Sequence, residues 1–276
     1  MAALDFGDPA RAADLVFVHA NGFNARTYRA LLEPLASSYR ILAPDLRGHG
    51  LTRLSTENDD RWSWRDHRDD LVAFLDALQG PPLVLAGHSM GATTSLLAAA
   101  ERPDRVRGLV LLDPVIWTRP AVLALQLPLI RHTPRRIPLF RNALRRRRDF
   151  DTRGAALKAY RGRGAFRNWP DEILADYLAD GLTETETETG VTLACTPEWE
   201  ASNYAAQSHD PWAALNRYPG PVSVLKAETA SPTALTPANT RARVTVVEGG
   251  DHFFPMVKPE VAHAALIDAL TASPAA

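Results

Sequence analysis

Short apolar runs with little polar alternation recur along the chain, at 15–19 (LVFVH), 40–43 (RILA), 83–86 (LVLA), 106–112 (VRGLVLL), 222–226 (VSVLK) and 244–247 (VTVV). A strand covered on both faces reads this way, because neither face meets water. Helical patterns lie between the runs. Residues 27–36 follow Asn24 and contain Pro34 near their end; 64–78 carry Leu71, Phe74, Leu75 and Leu78. Residues 90–101 are rich in small side chains and stop before Pro103, and 259–270 open on Pro259, which a first helical turn tolerates. Strands alternating with helices predict a parallel sheet with helices on both faces. The stretch 116–212 breaks the rhythm. It shows no convincing strand and is expected to form a mainly helical cap, inserted into a core made of 1–115 and 213–276.

Composition narrows this picture. The 276 residues are 46% hydrophobic and 23% charged, ordinary values for a globular protein with a sizeable core. Net charge is −1, so no global field recruits nucleic acid or a membrane surface. Cys195 stands alone, which excludes an intramolecular disulfide or a multi-cysteine zinc site, and it is read as a packed cap thiol. No apolar run approaches the ~20 residues of a membrane helix, and the N-terminus lacks a signal-peptide pattern. A cytoplasmic protein, monomer or homodimer, is expected.

Charge is nevertheless unevenly placed in the cap. Residues 116–170 hold 14 Lys and Arg against two acids, whereas 171–212 hold ten acids and neither Lys nor Arg. The two halves are expected to attract and pack together. The run 145–148 (RRRR) reads as a solvated helix face rather than a nucleic-acid patch. The run 183–190 (TETETETG) reads as an exposed loop.

The chemistry centres on GHSMG, residues 87–91. It lies directly between a strand-like run and a helix-like run, the context of a nucleophile elbow. Gly87 and Gly91 permit the tight turn. The backbone N–H of Met90, at a helix start, is aimed to stabilise an oxyanion. Ser89 needs a base. His252 is the candidate, in the loop after the last strand-like run; His49 competes, and His88 is read as structural. A third, acidic member should end a strand and fix the imidazole tautomer. Asp113 and Glu228 both satisfy that topology.

These residues resemble the α/β-hydrolase superfamily, in particular its cap-bearing serine esterase and cofactor-free haloperoxidase-like branch. The matching stretches are HANGF (19–23), DLRGHG (45–50), GHSMG (87–91), LVLLDP (109–114) and GGDHFFPMVKPE (249–260). The resemblance implies the α/β-hydrolase fold, Ser89 as nucleophile, His252 as general base, and no metal or organic cofactor. It makes the Asn21 N–H the second oxyanion donor, with Ala20 where the family usually has glycine. The family commonly places its acid three residues after a glycine ending the penultimate strand. Here Ala227 replaces that glycine, and Ala230 or Ser231 stands where aspartate is expected. Asp113 is therefore preferred, with Glu228 as the alternative.

The implied reaction is hydrolysis of carboxylic esters with small or medium acyl chains. The same residues would also serve carbon–carbon, lactone or thioester hydrolysis, or a non-catalytic small-ligand receptor on this scaffold. Phe23, Trp117, Trp199, Tyr204 and Trp212 are the pocket-lining candidates. Long-chain action at an oil surface is not expected, because the cap sequence carries no evident apolar lid.

Overall fold

A computed structural model describes residues 1–57, 61–130, 133–185 and 190–272. The core begins with strands β1 (Ala3–Phe6), β2 (Leu15–Val18) and β3 (Ile41–Pro44), with the short helix α1 (Arg29–Leu32) between the last two. Helix α2 (Arg65–Ala77), β4 (Leu83–His88), α3 (Met90–Glu101) and β5 (Val106–Leu112) follow. The chain then leaves the core for α4 (Arg119–Leu125), α5 (Pro138–Leu144), β6 (Asp149–Phe150), α6 (Arg153–Tyr160), α7 (Asp171–Gly181), β7 (Leu182–Glu184), β8 (Val191–Leu193) and α8 (Pro197–Ala205). It returns through α9 (Pro211–Arg217), β9 (Val222–Ala227), β10 (Arg243–Val247), α10 (Phe254–Val257) and α11 (Pro259–Thr271).

Seven strands form one sheet in the order β1-β3-β2-β4-β5-β9-β10. All neighbours are parallel except β1, which pairs antiparallel with β3 at the edge. This is the α/β-hydrolase fold. The order places β4 and β5 at the centre, so their C-terminal ends sit side by side where α/β sheets carry their ligands. Both faces of the central strands are covered, whereas the edge strand β10, expected from its VTVV run to be covered on both faces, exposes Thr245 and Val246 because it pairs only with β9. Leu15 and Phe17 join one apolar layer with α1 and α11, while Val16 and Val18 join the other with α2 and α3. Each such side chain contributes about 1.5–3 kcal/mol on burial, which accounts for apolar runs without alternation.

Several elements differ from expectation for local reasons. The helix expected at 27–36 is broken into α1 flanked by two 3₁₀ turns, Ala25–Tyr28 and Glu33–Leu35. Pro34 has no N–H to continue the ladder. The edge strand β1 escapes notice because it is four residues long and only half-buried on alternate positions. The inserted stretch is not free of strands: β6, β8 and β7 form a small antiparallel sheet. Thr183 and Glu184 belong to it, and residues 186–189 of the expected exposed loop lie outside the described residues.

The two charged halves of the insertion do meet. Arg146 pairs with Glu200, Arg161 with Asp171 at 2.8 Å, and Arg153 with Glu184 at 3.5 Å. The insertion also carries an apolar surface that the sequence pattern did not disclose. Leu123, Leu127, Leu129, Leu139 and Leu144 all face solvent. Among the described residues, no helix is long and apolar enough to cross a membrane.

Candidate active site

Strand β4 runs into α3 through a turn that leaves no room for side chains beside the serine. A Cβ on Gly91 would stand 2.3 Å from the Val18 carbonyl oxygen and 2.4 Å from that of His19. One on Gly87 would stand 2.6 Å from the Gly91 carbonyl carbon. Ser89 itself is held at φ 54°, ψ −119°, a strained backbone costing about 1–3 kcal/mol. Its N–H donates to the Leu112 carbonyl at 2.9 Å, tying the turn to β5.

Three side chains converge there from three separate connections. His252 Nε2 lies 2.9 Å from Ser89 Oγ, and His252 Nδ1 lies 2.6 Å from Asp113 Oδ2. Asp113 is fully buried at the end of β5, also at positive φ (43°). Its second oxygen, Oδ1, accepts the Ala227 N–H at 3.0 Å and the Ser231 hydroxyl. Of the two residues, Ala230 and Ser231, that stand where the acid was expected after β9, Ser231 donates to the acid that β5 supplies. Glu228 takes no part in this chain: its carboxylate accepts the Gly249 N–H at 2.8 Å.

This arrangement separates the two acids experimentally. In Asp113→Asn the amide presents a donor to His252 Nδ1 and imposes the wrong tautomer, so kcat should fall by roughly 10³–10⁴-fold. Glu228→Gln keeps an acceptor for Gly249 and should leave kcat within about twofold. Parallel kinetics on one soluble ester check both; equal losses would remove Asp113 from its role.

A second hydrogen-bonded chain fixes the frame around the three residues. His88 Nε2 lies 2.8 Å from the His252 carbonyl, and His88 Nδ1 lies 2.7 Å from the Tyr28 hydroxyl. A carbonyl only accepts, so Nε2 carries the proton and Tyr28 donates to Nδ1. The Tyr28 oxygen in turn accepts the Ala20 N–H at 3.2 Å. The backbone beside Asn21 is thereby linked to the backbone of His252. Burial, with the neighbouring His252, holds the His88 pKa well below its ordinary value, so the ring stays neutral. Tyr28→Phe leaves Nδ1 without a donor and frees Ala20. Kinetics should show kcat reduced about tenfold with KM nearly unchanged; unaltered kcat would dismiss the link.

The two other buried histidines nearest this loop are structural. His19 Nε2 accepts the Leu46 N–H at 2.9 Å, and His49 Nε2 accepts the Gly22 N–H at 3.1 Å. His49, considered above as a base, thus holds the loop that follows β2.

Phe23 sits in an aromatic cluster, with ring centroids 5.1 Å from Trp169, 5.7 Å from Tyr177 and 6.1 Å from Phe253. Phe253 follows His252 directly, so the cluster borders the site. Trp169, Tyr177 and Phe253 escaped sequence reasoning: adjacency to His252 signals Phe253, but nothing local signals the two cap residues. Asn21 is anchored through its side chain. Its amide donates to the Glu200 carbonyl at 3.0 Å, and its oxygen accepts from Asn203 at 2.8 Å. Tyr204 also interacts with the Asn21 side chain, and burial pushes its phenol pKa up.

The remaining pocket candidates are committed elsewhere. Trp199 is buried against the loop after β3, donating to the Arg47 carbonyl at 2.8 Å with Arg61 4.3 Å above its ring. Trp212 donates to the Trp117 carbonyl at 2.9 Å, and half-exposed Trp117 donates to Gln207 at 3.1 Å. Trp117 and Trp212 thus frame the exit and return of the insertion. Cys195 is buried and its thiol pKa raised well above the usual value by that burial.

The sequence profile of the alpha/beta hydrolase family matches residues 15–265. The chain is 33% identical over 99 residues to 2-(acetamidomethylene)succinate hydrolase of Mesorhizobium japonicum, covering 36% of this chain and 34% of that protein. It is 34% identical over 108 residues to Lipase LipV of Mycobacterium tuberculosis, covering 39% and 40%. The matched stretch thus spans well under half the length of these relatives. Over the whole fold, the crystal structure of E-2-(acetamidomethylene)succinate hydrolase superposes with a TM-score of 0.77 at 23% identity, covering 98% of this chain and 94% of that one.

Proposed function

Because this chain belongs to the alpha/beta hydrolase family, we propose that it is a serine hydrolase that cleaves carboxylic esters of small or medium acyl chains through an acyl-enzyme. The observation that carries the reading is the continuous contact from Ser89 Oγ through His252 to a buried Asp113, at 2.9 Å and 2.6 Å.

Ser89 Oγ attacks the ester carbonyl while its proton passes to His252 Nε2. The imidazolium that forms is supported by Asp113, whose other oxygen is already held by two donors. The Asn21 and Met90 N–H groups receive the oxyanion; losing one such donor costs about 2.7–4 kcal/mol. The alcohol departs with the proton from His252. Water then attacks the acyl group, gives a proton to His252, and the acid leaves as Ser89 recovers that proton. The loop carrying Asn21 must hold still throughout. The bonds from Asn21 to Glu200 and Asn203, and from Gly22 to His49, supply that restraint.

The aromatic wall formed by Phe23, Trp169, Tyr177 and Phe253 favours an apolar acyl group of limited length. One relative is named a lipase, which supports ester cleavage. Another is named a hydrolase of 2-(acetamidomethylene)succinate, so that compound belongs in the same screen. The test is turnover of p-nitrophenyl esters from acetate to palmitate, with chelator present. The highest kcat/KM is expected between acetate and hexanoate, with palmitate at least tenfold lower. No turnover of any ester would overturn the reading.

A further inference from the structure

The outward face of the cap carries features that hydrolysis at Ser89 does not use. Residues 116–148 contain nine arginines and no acid. Arg146 turns inward to Glu200, and its guanidinium also donates to Tyr177 at 2.7 Å. Arg135, Arg136, Arg141, Arg145, Arg147 and Arg148 are exposed. Among the described residues none of these six forms an ion pair.

The same segment exposes leucines. Leu129 is 95% exposed, Leu123 62%, Leu139 55%, Leu127 53% and Leu144 46%. Large apolar side chains scattered singly over a surface need no explanation, but a concentration within 22 residues does. The elements that bear them share a floor. Helix α5 and the 3₁₀ turn Thr133–Arg136 lie along α8. The end of α4 meets the segment that follows α8, where Ser208 Oγ donates to the Leu125 carbonyl at 2.6 Å. Val122 and Ala143 are the buried members of α4 and α5. With those faces turned inward, the leucines and arginines are left on the outer side.

We propose that this face of the cap docks on an anionic lipid surface. Leucines gain by leaving water for the acyl boundary, and arginines pair with phosphate headgroups while their aliphatic stems cover apolar surface. Each cation near such a surface raises partitioning roughly fivefold. The overall charge of −1 does not oppose this, because screening over about 8 Å at physiological salt makes the local surplus decisive. A symmetric contact with a second copy would set two cationic faces against each other. A nucleic acid would use the arginines but gain little from the leucines. The lipid is a docking surface here, independent of which ester the site cleaves.

Sedimentation of the full chain with phosphatidylcholine vesicles, with and without phosphatidylglycerol, tests the proposal. Binding should require phosphatidylglycerol and weaken as salt rises. Leu127→Glu combined with Leu139→Glu should lower partitioning more than about tenfold, and Arg135→Gln or Arg141→Gln roughly fivefold each. All variants should retain native circular dichroism and hydrolysis of a soluble ester. Failure to bind anionic vesicles, or binding indifferent to the leucine substitutions, would overturn it. So would a concentration-dependent doubling of mass lost in the leucine variant, which assigns the face to a second copy. Tighter retention by mixed-sequence RNA, unaffected by the leucine variant, would assign it to nucleic acid.

Discussion

Ser89→Ala should reduce kcat on a soluble ester by roughly 10⁵–10⁶-fold while leaving the fold and its denaturation midpoint nearly unchanged. The loss is this large because Ser89, His252 and Asp113 act as a unit in the proposed mechanism. Without Oγ there is no covalent intermediate, and His252 has no hydroxyl to deprotonate. The residual rate would come from the oxyanion donors and substrate binding alone. The fold should survive because Ser89 contributes to packing chiefly through its backbone, whose N–H bonds Leu112. Alanine at positive φ keeps a strain similar to that of serine. Steady-state kinetics on freshly purified variant, beside urea unfolding, checks both halves. Activity within a hundredfold of the parent would remove Ser89 from the chemistry.

Acidification below about pH 6 should unfold the protein steeply. His19, His49, His67, His88 and His209 are buried, and burial is the first cause that lowers each pKa, to about 4 for His67 and about 3 for His209. In the unfolded chain each takes up a proton near pH 6.5. Between that value and its folded value, the unfolded state binds the additional proton, so stability is complete above pH 6.5 and is lost as pH falls. Each histidine removes up to about 1.4 kcal/mol per pH unit in that window. By pH 4, His67 and His209 alone would cost about 3 kcal/mol each, against a typical total of 5–15 kcal/mol. The urea midpoint followed by tryptophan fluorescence should be level from pH 8 to 7 and drop sharply toward pH 5. A midpoint that stays flat to pH 4.5 would contradict the assigned neutral rings. His67→Gln should make the dependence shallower, since the amide keeps a donor for Asn203 without the proton site.

The parallel core was legible because both faces of its central strands are buried, and apolar runs leave few alternatives; the VTVV run of β10 was read the same way although its strand lies at an exposed edge. The elbow was legible for a related reason. A turn that admits no Cβ at two positions must write glycine at both, and Gly87 and Gly91 bracket Ser89. What the sequence conceals lies at longer range. The acid could be narrowed to Asp113 or Glu228 by topology, but distance separates them only once β5 and β9 are paired. The role of Ser231 follows from the same pairing, since nothing in KAETASPT announces a donor to Asp113. Tyr28 and His88 lie 60 residues apart, and no periodicity connects them. In the cap, strands of two or three residues fall below any pattern, and the fate of each tryptophan depends on which loop of the core it meets. Trp199 illustrates this: its neighbourhood to Arg47 and Gly48 is set by α8 crossing a loop about 150 residues upstream. The leucines of α4 and α5 have the spacing of ordinary helices, and only exposure distinguishes them.

Intact-mass analysis after treatment with a fluorophosphonate ester, followed by peptide mapping, tests whether Ser89 is the nucleophile. A single adduct on Ser89, formed as activity disappears, is expected, and no adduct in His252→Ala. An adduct on another residue, or full hydrolytic activity remaining after complete labelling of Ser89, would contradict that role.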